Sequence, residues 1–404
     1  MDNIDEVMKP GFQKEEHKKD EEDKKEENKI EKEPNRIIEE NGEEEKDQLG
    51  VDINDIKEEP QIEIKTVEDL DKITEKIDRL EINELKESAK ILEKIKATKF
   101  EKLEVLSLNT TEINSIEFLF NDYFKSLIIL ELKDNGISSL KNINKIPSAD
   151  LKVLDLSSNQ IESIGEITGA KFNDLEILIL SNNKIKDIKP ITDGNFPKIK
   201  KLDLSNNQIT SIKVLGANET LSNLESLYMN ENQIEDISAL KTKRVFKNLK
   251  ELQLNNNKIK RIDDLEFVEF TELQELMLYG NEIKFIDPLT RANFQKLKIL
   301  NLGKNHIENI NSLVESSFKD LVTLDLFDND IINIEIIEKV PFKNIEELDL
   351  SYNKLKSIGP LLKIYFEKMK DLKIEGNENL DYSDSKIQNL YDKYRIKYTF
   401  NSIP

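Results

Sequence analysis

One spacing constrains this chain more than any other feature. From Leu103 onward the pattern L-x-x-L-x-L-x-x-N-x-I-x-x-I-x-x-L returns, with first positions at Leu103, Leu127, Leu151, Leu175, Ile199, Leu224, Leu249, Leu273, Leu297, Leu321, Ile345 and Met369. Each step is 24 residues except two of 25, Ile199 to Leu224 and Leu224 to Leu249. Twelve near-equal periods mean a repeat architecture: one period cannot bury its apolar face alone, so neighbouring copies must stack. The two longer steps place their extra residue around Gly216-Ala217-Asn218 and Lys241-Thr242-Lys243, where surface turns absorb insertions at little cost.

The residue types within one period dictate its geometry. Apolar residues alternate in L-x-L, so Leu154 and Leu156 face inward while Val153, Asp155 and Ser157 face out, and stacking such strands gives a parallel sheet. The ninth position is Asn135, Asn159, Asn183, Asn207, Asn232, Asn257, Asn281, Asn305, Asn329, Asn353 and Asn377, with Thr111 in the first period. A buried amide offers two donors and an acceptor, which suit the backbone groups left free where each strand turns away. Three residues ahead of each cycle runs a column of Phe, from Phe100 and Phe124 through Phe366, interrupted by Ser148 and Leu221. Its regularity identifies a core spine.

On these motifs, the stretch from Leu103 to about Leu380 resembles the leucine-rich-repeat superfamily. Its I-x-x-I-x-x-L half, as in Ile185-Lys186-Asp187-Ile188 followed by Ile191, resembles the subclass of the leucine-rich regulatory subunit of type-1 protein phosphatase and of bacterial internalins. The repeats depart from that subclass's usual length by two residues ahead of the Phe. The resemblance implies an α/β fold, a right-handed leucine-rich-repeat solenoid with its parallel sheet on the concave face, and a protein partner.

The chain divides into four segments. Residues 1–60 hold 23 acidic and 11 basic residues and only one aromatic, so they are expected to form a disordered acidic tail. Residues 61–99 are expected to be a helical N-terminal cap of two short helices, because Leu70, Ile73, Ile77 and Leu80, then Ile82, Leu85, Ala89 and Leu92, recur at helical steps. Thr66 followed by Asp69 reads as a capping box, and a competing reading makes Ile77, Leu80 and Ile82 a degenerate first strand. Residues 100–380 are twelve repeats. Residues 381–404 are expected to be a C-terminal cap, with a helix through Ile387, Leu390, Tyr391 and Tyr394 and a strand through Ile396, Tyr398 and Phe400.

Composition removes most chemistry. The net charge of −21, from 60 Lys and Arg against 81 Asp and Glu, disfavours nucleic acid as a partner. With no Cys and only two His, thiolate and imidazole sites are nearly excluded, so no metal, no cofactor and no catalytic residue is expected. The run Asp328-Asn329-Asp330 fails as a calcium loop, since Ile332 and Asn333 fall where an oxygen donor and Gly are required. The start, Met1 to Phe12, has no apolar core and no long apolar run comes later, so no membrane contact is expected and a cytoplasmic or nuclear location is.

Function is therefore expected on a surface. Positions three, five, seven and eight of the twelve strands point outward and carry thirteen acids against four lysines. Tyr228, Met277, Tyr279, Phe327 and Tyr352 lie on that face, all in repeats six to eleven, and Gly303 leaves a notch between Tyr279 and Phe327 for a bulky residue of a partner. Asp155, Asp203, Asp325 and Asp349 are expected to form its acidic rim. The chain reads as a monomeric, non-enzymatic interaction scaffold for a protein or basic peptide. A regulatory subunit of an enzyme such as a phosphatase, as the resemblance implies, and an acidic histone- or ribosome-chaperone-like protein are the alternatives.

Overall fold

The structure, a computed structural model, describes residues 64–394 apart from 218, 243, 244 and 384. The tail expected over 1–60 and the strand expected over 396–400 lie outside the described residues. Thirteen three-residue strands form one parallel sheet in strict chain order. They are β1 Arg79–Glu81, β2 Val105–Ser107, β3 Ile129–Glu131, β4 Val153–Asp155, β5 Ile177–Ile179, β6 Lys201–Asp203, β7 Ser226–Tyr228, β8 Glu251–Gln253, β9 Glu275–Met277, β10 Ile299–Asn301, β11 Thr323–Asp325, β12 Glu347–Asp349 and β13 Asp371–Lys373. The central Leu of each strand pairs with that of the next, and Leu202, Leu227 and Leu252 keep this register through the two 25-residue steps. The chain returns between strands mostly through single turns of 3-10 helix, replaced at Lys189–Asp193 and Gly359–Lys363 by five-residue α-helices with Pro at the second position. The product is a right-handed α/β solenoid with the sheet on its concave face.

The interior repeats as strictly as the sequence. Phe172, Phe196, Phe246, Phe294, Phe318, Phe342 and Phe366 are all buried, and successive rings such as Phe270 and Phe294 stand 6.3 Å apart. At the two interruptions, the Ser148 hydroxyl donates to the Leu127 carbonyl and Leu221 is fully buried. The Asn column is a continuous ladder. Asn257 shows the unit: its Nδ2 donates to the carbonyls of Met229 in the preceding repeat and Leu254 in its own, each at 3.0 Å, while its Oδ1 accepts from the Ile234 N–H at 3.0 Å. Each amide thus satisfies backbone groups of two coils and fastens them together. In the first repeat Thr111 makes the shorter version, its hydroxyl donating to the Leu108 carbonyl at 3.0 Å.

Two further columns obey local backbone rules. The eighth position, from Thr110 to Gly376, is in the left-handed region in every repeat, with φ between 49° and 70°. Asn, Asp and Gly tolerate that conformation best and hold seven of the twelve places. The thirteenth position opens the helical turn. In ten repeats a Ser, Asp or Asn there accepts a hydrogen bond from the N–H two residues on, as Ser115 does from Glu117 and Asn333 from Glu335.

The first segment differs from the expected pair of helices. Thr66 and Asp69 do cap reciprocally, but they open only a 3-10 turn, Glu68–Lys72, after which β1 extends the sheet by pairing with β2. The competing strand reading is the one realised at Leu80 and Ile82, both buried, because their alternation matches the strands beside them. One α-helix, Ser88–Ala97, comes next and buries Ile91 and Ile95. At the other end the helix Ser385–Tyr394 buries Ile387, Leu390, Tyr391 and Tyr394, the residues whose spacing announced it. Its Lys393 ammonium donates to the Leu362 carbonyl at 2.8 Å and also to that of Ile364, satisfying groups left free at the end of the helix Gly359–Lys363.

Candidate protein-interaction face

The outward side chains of β7 to β13 form the face to which the aromatic residues, Asp325 and Asp349 contribute, while Asp155 and Asp203 lie apart from it on β4 and β6. On β7 the half-buried Tyr228 donates its hydroxyl to Glu251, while the Lys201 ammonium stands 5.0 Å from its ring centre. Burial, then Glu251, pushes the phenol well above its usual range, so it remains a donor. Met277, on β9, is half-buried two strands away. Tyr279 lies two residues beyond it, its N–H donating to Asn255 Oδ1 at 2.8 Å. Past β11 and β12, the rings of Phe327 and Tyr352 meet edge to face with centres 5.3 Å apart.

The notch expected at Gly303 is filled from within. A Cβ at Gly303 would sit 2.9 Å from Tyr279 Cδ2 and 3.1 Å from Asp325 Oδ1, so the Tyr279 ring already leans over the glycine. Tyr352 does the same to Gly376, where a Cβ would sit 2.8 Å from its ring. The glycines therefore serve as seats for this chain's own aromatics, and the patch is a low ridge of rings. Spacing of strands could not show this, because the direction of a side chain from its strand is a rotamer choice.

The acidic rim also requires correction. Asp325 and Asp349, on adjacent strands, are 3 % and 8 % exposed, and Asp155 and Asp203 are half-buried. Each accepts from the N–H two residues on: Asp155 from Ser157, Asp203 from Ser205, Asp325 from Phe327 and Asp349 from Ser351, at 2.8–2.9 Å. Asn301 does so for Gly303 at 3.0 Å. These carboxylates hold the bend after each strand. Burial, then the neighbouring Asp349, pushes Asp325 up to about 6, and burial likewise raises Asp155 and Asp349. The acids that do face solvent are Asp134, Glu231, Asp328 and Glu375.

Glu251 is one of the thirteen outward acids, but its place beneath Tyr228 escaped the sequence reading, as did Gly376 beneath Tyr352 and the strain at Tyr352 itself. That strain had a visible signal. Tyr352 occupies the left-handed column with φ 54° and is 54 % exposed, where other repeats place mostly Asn, Asp, Ser or Gly.

Family models for the leucine-rich repeat match residues 149–209, 271–331 and 344–363, and a model of two such copies matches 197–242 and 222–267. The chain belongs to the leucine-rich-repeat superfamily, whose members are generally protein-interaction scaffolds. Among solved structures it is similar to an internalin, InlF, of Listeria monocytogenes, with 25 % identity over 77 % of this chain and 89 % of that one and a TM-score of 0.57. A leucine-rich-repeat protein of Leptospira interrogans shares the fold at 23 % identity over 74 % of this chain and 77 % of that one, with a TM-score of 0.55. The functional domain of InlJ from Listeria monocytogenes does so at 17 % identity over 74 % and 60 %, with a TM-score of 0.52. No curated protein matches the sequence. Among the described residues no helix is long and apolar enough to cross a membrane.

Proposed function

We propose that this protein is a non-enzymatic interaction scaffold that docks a folded protein or a basic peptide on its sheet face between β7 and β13. The observation that carries the reading is Tyr352. An aromatic residue at positive φ costs of order 1 kcal/mol, and such strain persists where it serves binding. Tyr352 spends that strain on presenting a half-exposed ring, braced by Phe327 and seated on Gly376. Exposed Asp328 and Glu375 flank it and favour a cationic partner residue beside the ring.

Affinity purification with the full chain, repeated in high salt and read by mass spectrometry, identifies the partner. Tyr352→Asn is then expected to weaken its binding about tenfold with the fold intact, and Asp328→Lys to slow association and flatten its salt dependence. Unchanged kinetics in both variants, and in Phe327→Ala, would remove the site from this face.

A further inference from the structure

The thirteenth-position column contains two exceptions, and they are neighbours. Arg261 and Phe285 stand in successive repeats where the other ten repeats carry an oxygen that accepts from the N–H two residues on. Arg261 still ties its turn down through an ion pair, Nε to Asp263 Oδ2 at 2.8 Å. Phe285 does neither. Its ring is 72 % exposed, the highest among the large apolar side chains described, so it gains almost nothing from burial in return for the missing cap. A residue that breaks a local rule without an internal gain points to an external one.

An open groove on the flank of the solenoid is lined by Phe285 together with Pro288, Asn311 and Glu315. Its charges are unequal after internal pairing. Lys260 pairs with Glu282, Arg261 with Asp263 and Arg291 with Glu266. Asp287, Glu308 and Glu315 then lie outside any ion pair described, against Lys284 alone. The groove thus offers one apolar anchor within a residual negative field, the complement of an apolar side chain beside a Lys or Arg.

We infer that this flank is a second docking surface, which takes a short partner segment presenting an aliphatic or aromatic residue next to a basic one. It rests on Phe285 and the surrounding charges, and stands independently of the sheet-face reading.

The missing cap makes the inference testable without knowledge of the natural partner. Phe285→Ser restores the column's usual residue, so the full chain carrying it is expected to melt at the same temperature as wild type or higher. A random library of short peptides is panned on the full-length wild type, and the enriched peptides are measured on variants. They are expected to carry Lys or Arg beside an apolar residue, to bind Phe285→Ser and Glu308→Lys about tenfold more weakly, and to bind Tyr352→Asn as wild type. Enriched peptides that ignore Phe285→Ser, peptides without basic residues, or no enrichment overturn the flank site, as does a lower melting temperature for Phe285→Ser. Peptides lost only on Tyr352→Asn would support the sheet face while removing the flank, so the two readings fail separately.

Discussion

The turn that carries the Asn ladder and the face that carries the aromatics are cut from the same period, yet they use it differently. In the ladder the chemistry itself repeats: eleven Asn in twelve places, each bonded in the same way to two coils. On the face only the geometry repeats. The eighth position keeps its left-handed φ whether it holds Asn256, Lys304 or Tyr352, and the seventh keeps its register whether it holds Ser351, Tyr279 or Phe327. Buried backbone groups demand one particular partner, whereas an outward slot demands only a backbone conformation and leaves the side chain free for other uses.

That contrast can be broken from either side. The largest effect is expected in the core: Phe294→Ala, which opens a cavity beside the Phe270 ring, should cost about 3–5 kcal/mol in urea unfolding. Asn257→Ala leaves three backbone groups of two repeats without their partner and should cost roughly 1–3 kcal/mol, and wild-type unfolding in that variant would deny the ladder its role.

A third variant sharpens the boundary between the regions. The folded pKa of Asp325 lies near 6, above the ordinary value of about 3.9, so the folded state holds the proton more tightly than the unfolded chain. Its contribution to stability is therefore best below about pH 4, declines as pH rises through 6, and is flat above. Asp325→Asn, which keeps the acceptor that Asn301 already provides one strand away, should stabilise the protein at pH 7.5 by on the order of 1–2 kcal/mol and by nothing at pH 4. Equal effects at both pH values would show that its burial does not govern its ionisation. The smallest effect belongs to the face proper. Tyr352→Asn should leave stability unchanged or raise it by up to about 1 kcal/mol, measured by thermal unfolding, because Asn accepts the left-handed backbone more readily.

The same contrast explains how far the sequence could be read. Strands, ladder and Phe spine were legible because each buried place admits few residue types, and Leu130, Asn135 and Phe124 announce their roles wherever the period puts them. At Leu70 to Leu80 apolar steps of three and four suggested helix, but only a 3-10 turn formed before β1 took its place in the sheet. Outwardness was mistaken for exposure at Asp325 and Asp349, because neighbouring strands about 4.8 Å away crowd a short side chain that points from the sheet. Tyr279 was placed on the correct face, but its lean over Gly303 depends on a torsion that no spacing encodes. Phe285 left a trace that needs comparison across repeats: it is the one place in its column with neither an oxygen nor an ion pair.

The ladder has a mechanical side. Each Asn clasps its own coil to the one before it, and coils touch chiefly their sequence neighbours through these clasps and the in-register strands. A force applied at the chain ends meets a series of similar fasteners rather than one interlocked core. Freeing a coil of 24 residues releases roughly 80 Å of extended chain and removes about 4.8 Å of stacked length. Extension under load should accordingly proceed as a staircase with treads of about 75 Å, and the same succession of small yields would let the molecule give way at one end while the remaining coils keep their hold.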